Sequence, residues 1–174
     1  MTQKHDPIAP FIISRLFNAP RAKVFAAWTQ IGHLAKWFGP KGVSITASTL
    51  DLCPGGTFHY CMKTPDGHEM WGLWQFLEVQ PPERLVLVSS FSDKDGGLTR
   101  HPTSATWPLK TLSTTTFADQ GGETLLTVEW LPHDTATEEE RQTFDGARAG
   151  MMQGWGGTME QLEAWLAAEQ GDAP

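Results

Sequence analysis

Apolar and polar residues alternate with a period of two through much of the chain, and a three-to-four spacing takes over toward its C-terminal end. "FIISRLFNAP" opens the series. Its aromatic and β-branched residues predict a strand, closed by Asn18 and Pro20. Pro20 suits the first turn of a following helix, "PRAKVFAAWTQ", because its missing N–H has no intrahelical partner to lose. Val24, Phe25 and Trp28 recur on one face of that helix. A second short helix, "IGHLAKWFG", stops at Gly39-Pro40.

Strand patterns follow one another from there: "VSITASTLDL", "TFHYCMK", "HEMWGLWQFLEV", "RLVLVSSF", "WPLKTLSTTTF" and "ETLLTVEWL". Pro54-Gly55-Gly56, Pro65-Asp66-Gly67, Pro81-Pro82 and Gly121-Gly122 punctuate them. These turns come at hairpin-like intervals, which predicts an antiparallel, meandering sheet. One connection, Ser92 to Thr106, exceeds the usual hairpin length and is expected to cover one end of a cavity.

Thr137 with Glu140 three residues on fits a capping box, and three glutamates suit the positive end of a helix dipole. Neither proline nor a polar break follows, so one long helix is predicted to about Ala168. At about 100° per residue, Phe144, Met151, Trp155, Met159, Leu162 and Leu166 form one apolar stripe. Arg148 falls inside that stripe, where a guanidinium aimed at a cavity would pair with a ligand carboxylate. Gly146, Gly150, Gly154 and Gly157 gather on the flank and back of the helix. They are read as its thin side, turned away from the cavity, where a second backbone could approach. A phosphate-binding loop would need a preceding strand and a lysine, and a membrane helix an unbroken apolar run. This stretch has neither.

The element order, a strand, two short helices, a run of strands and a long helix, is that of an α+β protein. The 174 residues suffice for one domain, expected over 11–168 between tails at 1–10 and 169–174. A formal net charge of −7 with no basic run argues against nucleic acid or an anionic membrane as partner. With no signal peptide and no transmembrane run, a cytoplasmic protein is expected. Cys53 and Cys61 lack a CxxC or histidine partner at metal spacing and read as free thiols, and no metal or cofactor is called for.

Five motifs now fall into order: "NAPRAKVFAAWT" with "KWFGPKG", "DLCPGGTFHYCMKTPDG", "EVQPPERLV", "TEEERQTF" and "QGWGGTMEQLEAWL". Together they resemble the activator of Hsp90 ATPase homologue family of the START-like, or SRPBCC, superfamily, over about residues 11 to 168. The resemblance implies a helix-grip fold, a curved antiparallel sheet around a long C-terminal helix with a ligand cavity between them. It also implies binding of a small hydrophobic ligand, since superfamily members bind lipids, sterols, polyketides or plant hormones, and a few are cyclases. The family's eukaryotic co-chaperone carries a further N-terminal domain, which this chain is expected to lack.

Within that frame the expected ligand-binding residues are Trp37, Phe58, Tyr60, Met62, Trp71, Phe144, Arg148, Met151, Met152 and Trp155. Alternation places Phe58, Tyr60 and Met62 on one strand face and His59, Cys61 and Lys63 on the other. Burial of apolar surface would supply the affinity, and Tyr60 and Arg148 the orientation. The expected partner is therefore a small hydrophobic molecule, with an acidic group if Arg148 reaches it. Two alternatives stay open: a cyclase or hydrolase using Glu78, Asp51, His59 or Tyr60 in the same pocket, and a chaperone-related interaction protein. A homodimer through the glycine side of the helix is a third question.

Overall fold

The structure is a computed structural model that describes residues 7–171. It runs β1 (Phe11–Phe17), α1 (Arg21–Thr29), α2 (Ile31–Trp37), β2 (Ser44–Leu50), β3 (Thr57–Lys63), β4 (Glu69–Gln80) and β5 (Arg84–Ser92). Then come β6 (Leu98–Thr99), β7 (Thr111–Gln120), β8 (Glu123–Pro132), α3 (Glu138–Gly146) and α4 (Arg148–Gly171). The strands form one antiparallel sheet in the order β1-β8-β7-β5-β4-β3-β2, with β6 paired to β5. The α+β helix-grip architecture is the one expected. The long connection after β5 differs, because β6 lies inside it.

Local chemistry accounts for the element ends. Pro20 is the N-cap of α1, one residue earlier than expected, and its carbonyl accepts from Lys23 and Val24. Gly39, at φ +112°, turns the chain out of α2 in a conformation that few L side chains adopt. A register shift between Phe76 and Glu78 bends β4 and leaves Leu77 half exposed. The capping box at Thr137 forms as read: Glu140 N–H donates to the Thr137 hydroxyl, and Thr137 N–H to the Glu140 carboxylate.

The single C-terminal helix of the sequence reading is two helices. Ala147, at φ −94° and ψ 3°, separates them, and its N–H donates to the carbonyl three residues back. The preceding Gly146 has neither a side chain to pack nor high helix propensity, so the helix yields there. At the other end, α4 continues through Gly171, so residues 169–171 are helical rather than a tail. Residues 1–6 and 172–174 of the two expected tails lie outside the described residues.

The core fills the concave side of the sheet. Phe17, Phe58, Phe76, Phe117 and Leu126 project from the strands against Trp28 of α1 and Met159 and Leu162 of α4. Each such fully buried side chain contributes roughly 1.5–3 kcal/mol of apolar transfer. A smaller cluster of Phe11, Phe144 and Met151 holds the junction of α3, α4 and β1. Between the two clusters the packing opens.

Candidate ligand-binding cavity

A cavity of about 490 Å³ lies between the inner face of the sheet and α4, with the β6–β7 connection on its border. Strand alternation sets its walls. β3 turns Tyr60 and Met62 inward, and β4 turns Gly72 and Trp74 the same way. Phe38, just past α2, closes on Tyr60 and Trp74 edge-on, with ring centroids 5.4 and 4.9 Å apart. Aromatic edges meeting aromatic faces is the favoured geometry for such pairs.

Three tryptophans tie the layers together. Trp28 of α1 lies near-parallel to Trp74 of β4 and to Trp155 of α4, at interplanar angles of 21° and 11° with centroids 6.2 Å apart. All three border the cavity. The Trp28 indole nitrogen is buried without a hydrogen-bond partner among the described residues.

The floor is more polar than the walls. Across the sheet, Trp74 pairs with Ser89, Ser89 with Thr111, and Ser113 with Trp130. Ser89, Thr111 and Ser113 thus put a strip of hydroxyls between two tryptophans. The Thr111 hydroxyl donates to the Ser89 carbonyl at 3.3 Å. The alternation in "TLSTTTF" puts Thr111, Ser113 and Thr115 on one face of β7, and that was legible in the sequence. That this face looks into the cavity required the sheet order.

Among the described residues no aspartate, glutamate, lysine or arginine borders the cavity. Its titratable neighbours are Tyr60 and His101. Burial pushes the Tyr60 phenol above its ordinary range, with the Trp74 side chain acting partly against it. Burial also pulls His101 below the usual histidine value. Both groups are therefore held neutral near pH 7.

The structure brings some of the expected residues together and disperses others. Tyr60, Met62, Met151 and Trp155 border the cavity. Trp71 also borders it, yet its ring stacks on His59, centroids 4.9 Å apart. Phe58 shares the inner face but is fully buried beneath Tyr60, and Phe144 is fully buried behind Trp107 and Trp130. Trp37 is a core residue whose indole N–H donates to the Ala27 carbonyl; Phe38, one residue on, takes the place at the cavity. Met152 is half exposed and does not reach it.

Arg148 is the largest departure. It belongs to the first turn of α4, still in phase with Trp155, but its long side chain reaches past the start of the helix instead of into the cavity. Its guanidinium bonds Asp145 at 2.7 Å, the Pro10 carbonyl at 3.2 Å and the Ala9 carbonyl. An arginine needs anionic or carbonyl partners, and the chain ahead of β1 supplies them. An acidic ligand group would find no cation in the cavity.

The glycine flank is the second correction. Gly150 and Gly154 border the cavity instead of facing away from it, and a Cβ added at either would meet nothing within 4 Å. Side chains there would occupy the opening. Three of the four acid–base candidates lie elsewhere: Glu78 pairs with Arg84 at 3.2 Å, His59 bonds Ser92 and the Asp93 carbonyl, and Asp51 bonds Cys53; the fourth, Tyr60, borders the cavity. Cys53 and Cys61 are free thiols.

Sequence reasoning placed the connection Ser92 to Thr106 over one end of the cavity; its His101 borders the cavity, as do Trp107 and Pro108 just beyond it. What it missed is the latch. Arg100 reaches the buried Glu140 of the capping box, and the Thr143 hydroxyl donates to that of Thr106 at 2.8 Å. Burial acts to raise the Glu140 carboxyl, but the Arg100 guanidinium and the Thr137 N–H outweigh it and hold it below its usual range.

Residues 18–167 match the family described as activator of Hsp90 ATPase homolog 1-like protein. The chain belongs to this family. Solved structures agree with an activator of Hsp90 ATPase homolog 1-like fold over most of the chain. A crystal structure of a protein from Nitrosomonas europaea is 27% identical, with a TM-score of 0.74 over 96% of this chain and 99% of that one. A solution structure from Arthrobacter aurescens is 26% identical, with a TM-score of 0.73 over 97% and 93%. A crystal structure from Mycobacterium smegmatis is 26% identical, with a TM-score of 0.70 over 89% and 88%. Among curated proteins there is no match. Among the described residues no helix is long and apolar enough to cross a membrane, and no group of three or more His, Cys, Asp or Glu could hold a metal ion.

Proposed function

We propose that this member of the family binds a small, uncharged, largely aromatic molecule in the cavity between the sheet and α4. One observation carries the reading. A space of about 490 Å³ is bordered by aromatic rings, methionines and hydroxyls, with no formally charged side chain among the described residues that border it. Its volume lies within the roughly 300–1,000 Å³ common for small-molecule sites, whose walls are mostly apolar with a few polar groups. A charged ligand would lose its hydration there without gaining a counter-ion, which is costly. The expected acidic group is therefore dropped, along with Arg148 as its partner. Binding is favoured over turnover because Glu78, Asp51 and His59 are engaged outside the cavity, and burial keeps the remaining candidate, Tyr60, protonated. An open cavity also favours a ligand-binding role over a purely chaperone-related surface.

Native mass spectrometry of protein purified from its own host is the direct test: an uncharged co-purifying molecule is expected. Independently, the aromatic hydrocarbon fluorene should quench the tryptophan fluorescence saturably. Gly150→Phe, which places a ring in open space at the opening, should abolish that quenching. Unaltered quenching in this variant would sink the reading.

A further inference from the structure

The cavity carries one polar group whose orientation its own loop determines. His101 stands on the cavity border, its ring edge-on to Phe91 at 4.8 Å and tilted against Trp107 at 6.0 Å. Its Nδ1 accepts the Thr103 backbone N–H at 3.1 Å, with the Thr103 hydroxyl at 3.3 Å. A nitrogen that accepts a backbone N–H carries no proton of its own. The neutral ring must then hold its proton on Nε2. Among the described residues nothing accepts a hydrogen bond from that Nε2–H.

The loop that holds His101 is itself held. Arg100, the preceding residue, is paired with Glu140 and donates to the Trp107 carbonyl at 3.4 Å, and Thr106 is bonded to Thr143 of α3. The imidazole is thus a preorganised donor at the border of a space with no charge. A second ring donor on that border, the indole N–H of Trp28, also lacks an acceptor among the described residues. Two ring N–H donors without an acceptor call for a ligand that brings one.

We infer that His101 is a specificity residue, whose Nε2–H donates a hydrogen bond to an uncharged oxygen acceptor, such as a ketone or quinone carbonyl, on the bound aromatic molecule. This rests on the proposed binding function and adds the chemistry that the cavity selects. Thr103 acts as a positioning residue by fixing the tautomer.

Fluorene and 9-fluorenone differ by one carbonyl and test this directly. Titration by tryptophan quenching should give wild-type protein roughly fivefold tighter affinity for fluorenone, about the worth of one net hydrogen bond. His101→Phe should remove that preference, bringing the ratio of fluorenone to fluorene affinity to about one. His101→Gln, whose amide nitrogen takes the place of Nε2, should restore part of it. Should His101→Phe not fold, the wild-type His101 Nε2 resonance should shift with fluorenone and not with fluorene. Equal wild-type affinities, or a preference that survives His101→Phe, would overturn the role of His101 and leave the cavity reading standing. No saturable binding of either probe would overturn both.

Discussion

The Tyr60 ring lies directly on the backbone of Gly72, its cross-strand partner. A Cβ at Gly72 would sit 2.4 Å from both the hydroxyl and the carbon bearing it. The absence of a side chain on β4 lets the phenol lie flat along the cavity wall, where Phe58 stacks on it with centroids 4.7 Å apart. Gly72→Ala should therefore displace Tyr60 and destabilise the protein by about 1–3 kcal/mol, in the manner of an overpacked core. Urea unfolding of Gly72→Ala, Tyr60→Ala and the double variant checks this. The double variant should lose less than the sum of the singles, because removing the ring removes the clash.

Gly154→Ala should have the opposite sign. Its Cβ meets nothing within 4 Å, so the higher helix propensity of alanine is gained without strain. A stabilisation of about 0.8–1 kcal/mol in thermal or urea unfolding is expected. Larger residues at this position should keep the stability and lose affinity for fluorene, because Gly154 borders the cavity.

Arg148→Leu separates the two roles considered for that residue. The guanidinium holds the chain ahead of β1 through the Ala9 and Pro10 carbonyls, so the variant should lose about 1 kcal/mol of stability. Fluorene affinity should stay unchanged. A selective loss of affinity would return Arg148 to the cavity.

His101 gives stability a pH dependence with a definite sign. Its folded pKa is lowered by burial, so on acidification the unfolded chain takes up the proton first. The contribution is complete above about pH 6.5, the ordinary histidine value, and is lost as pH falls through the lower folded value. Glu140 acts in a more acidic window, since its folded pKa lies below the usual carboxylate range. Stability measured from pH 7.5 to 5 should fall less steeply in His101→Phe than in wild type, and Glu140→Gln should leave that segment of the curve unaltered.

Much of the fold was legible because its signals are local. Alternation in "TFHYCMK" put Phe58, Tyr60 and Met62 on the same face, and the structure agrees. Thr137 and Glu140 announced their capping box from four residues of sequence. The break at Ala147 was not legible, since no proline marks it and a glycine is tolerated within many helices. Helical phase put Arg148 in line with Trp155, but phase does not record that a long side chain in the first turn of a helix bonds the carbonyls of Ala9 and Pro10. Trp37 and Phe38 show the same limit on a smaller scale. Adjacent residues at the end of a helix differ by a large rotation, and a fraying end decides which ring faces the core.

The periods of two and 3.6, the turn residues and the cap are properties of neighbouring residues, and they determined the elements, their order and the face each strand buries. Which strands lie side by side is set by contacts between distant segments. Only the tertiary structure could place Ser89, Thr111 and Ser113 between Trp74 and Trp130, bring His101 across to Phe91, and send Arg148 to the carbonyls of Ala9 and Pro10. A cavity is a place where packing stops, and no local pattern records where distant side chains fail to meet.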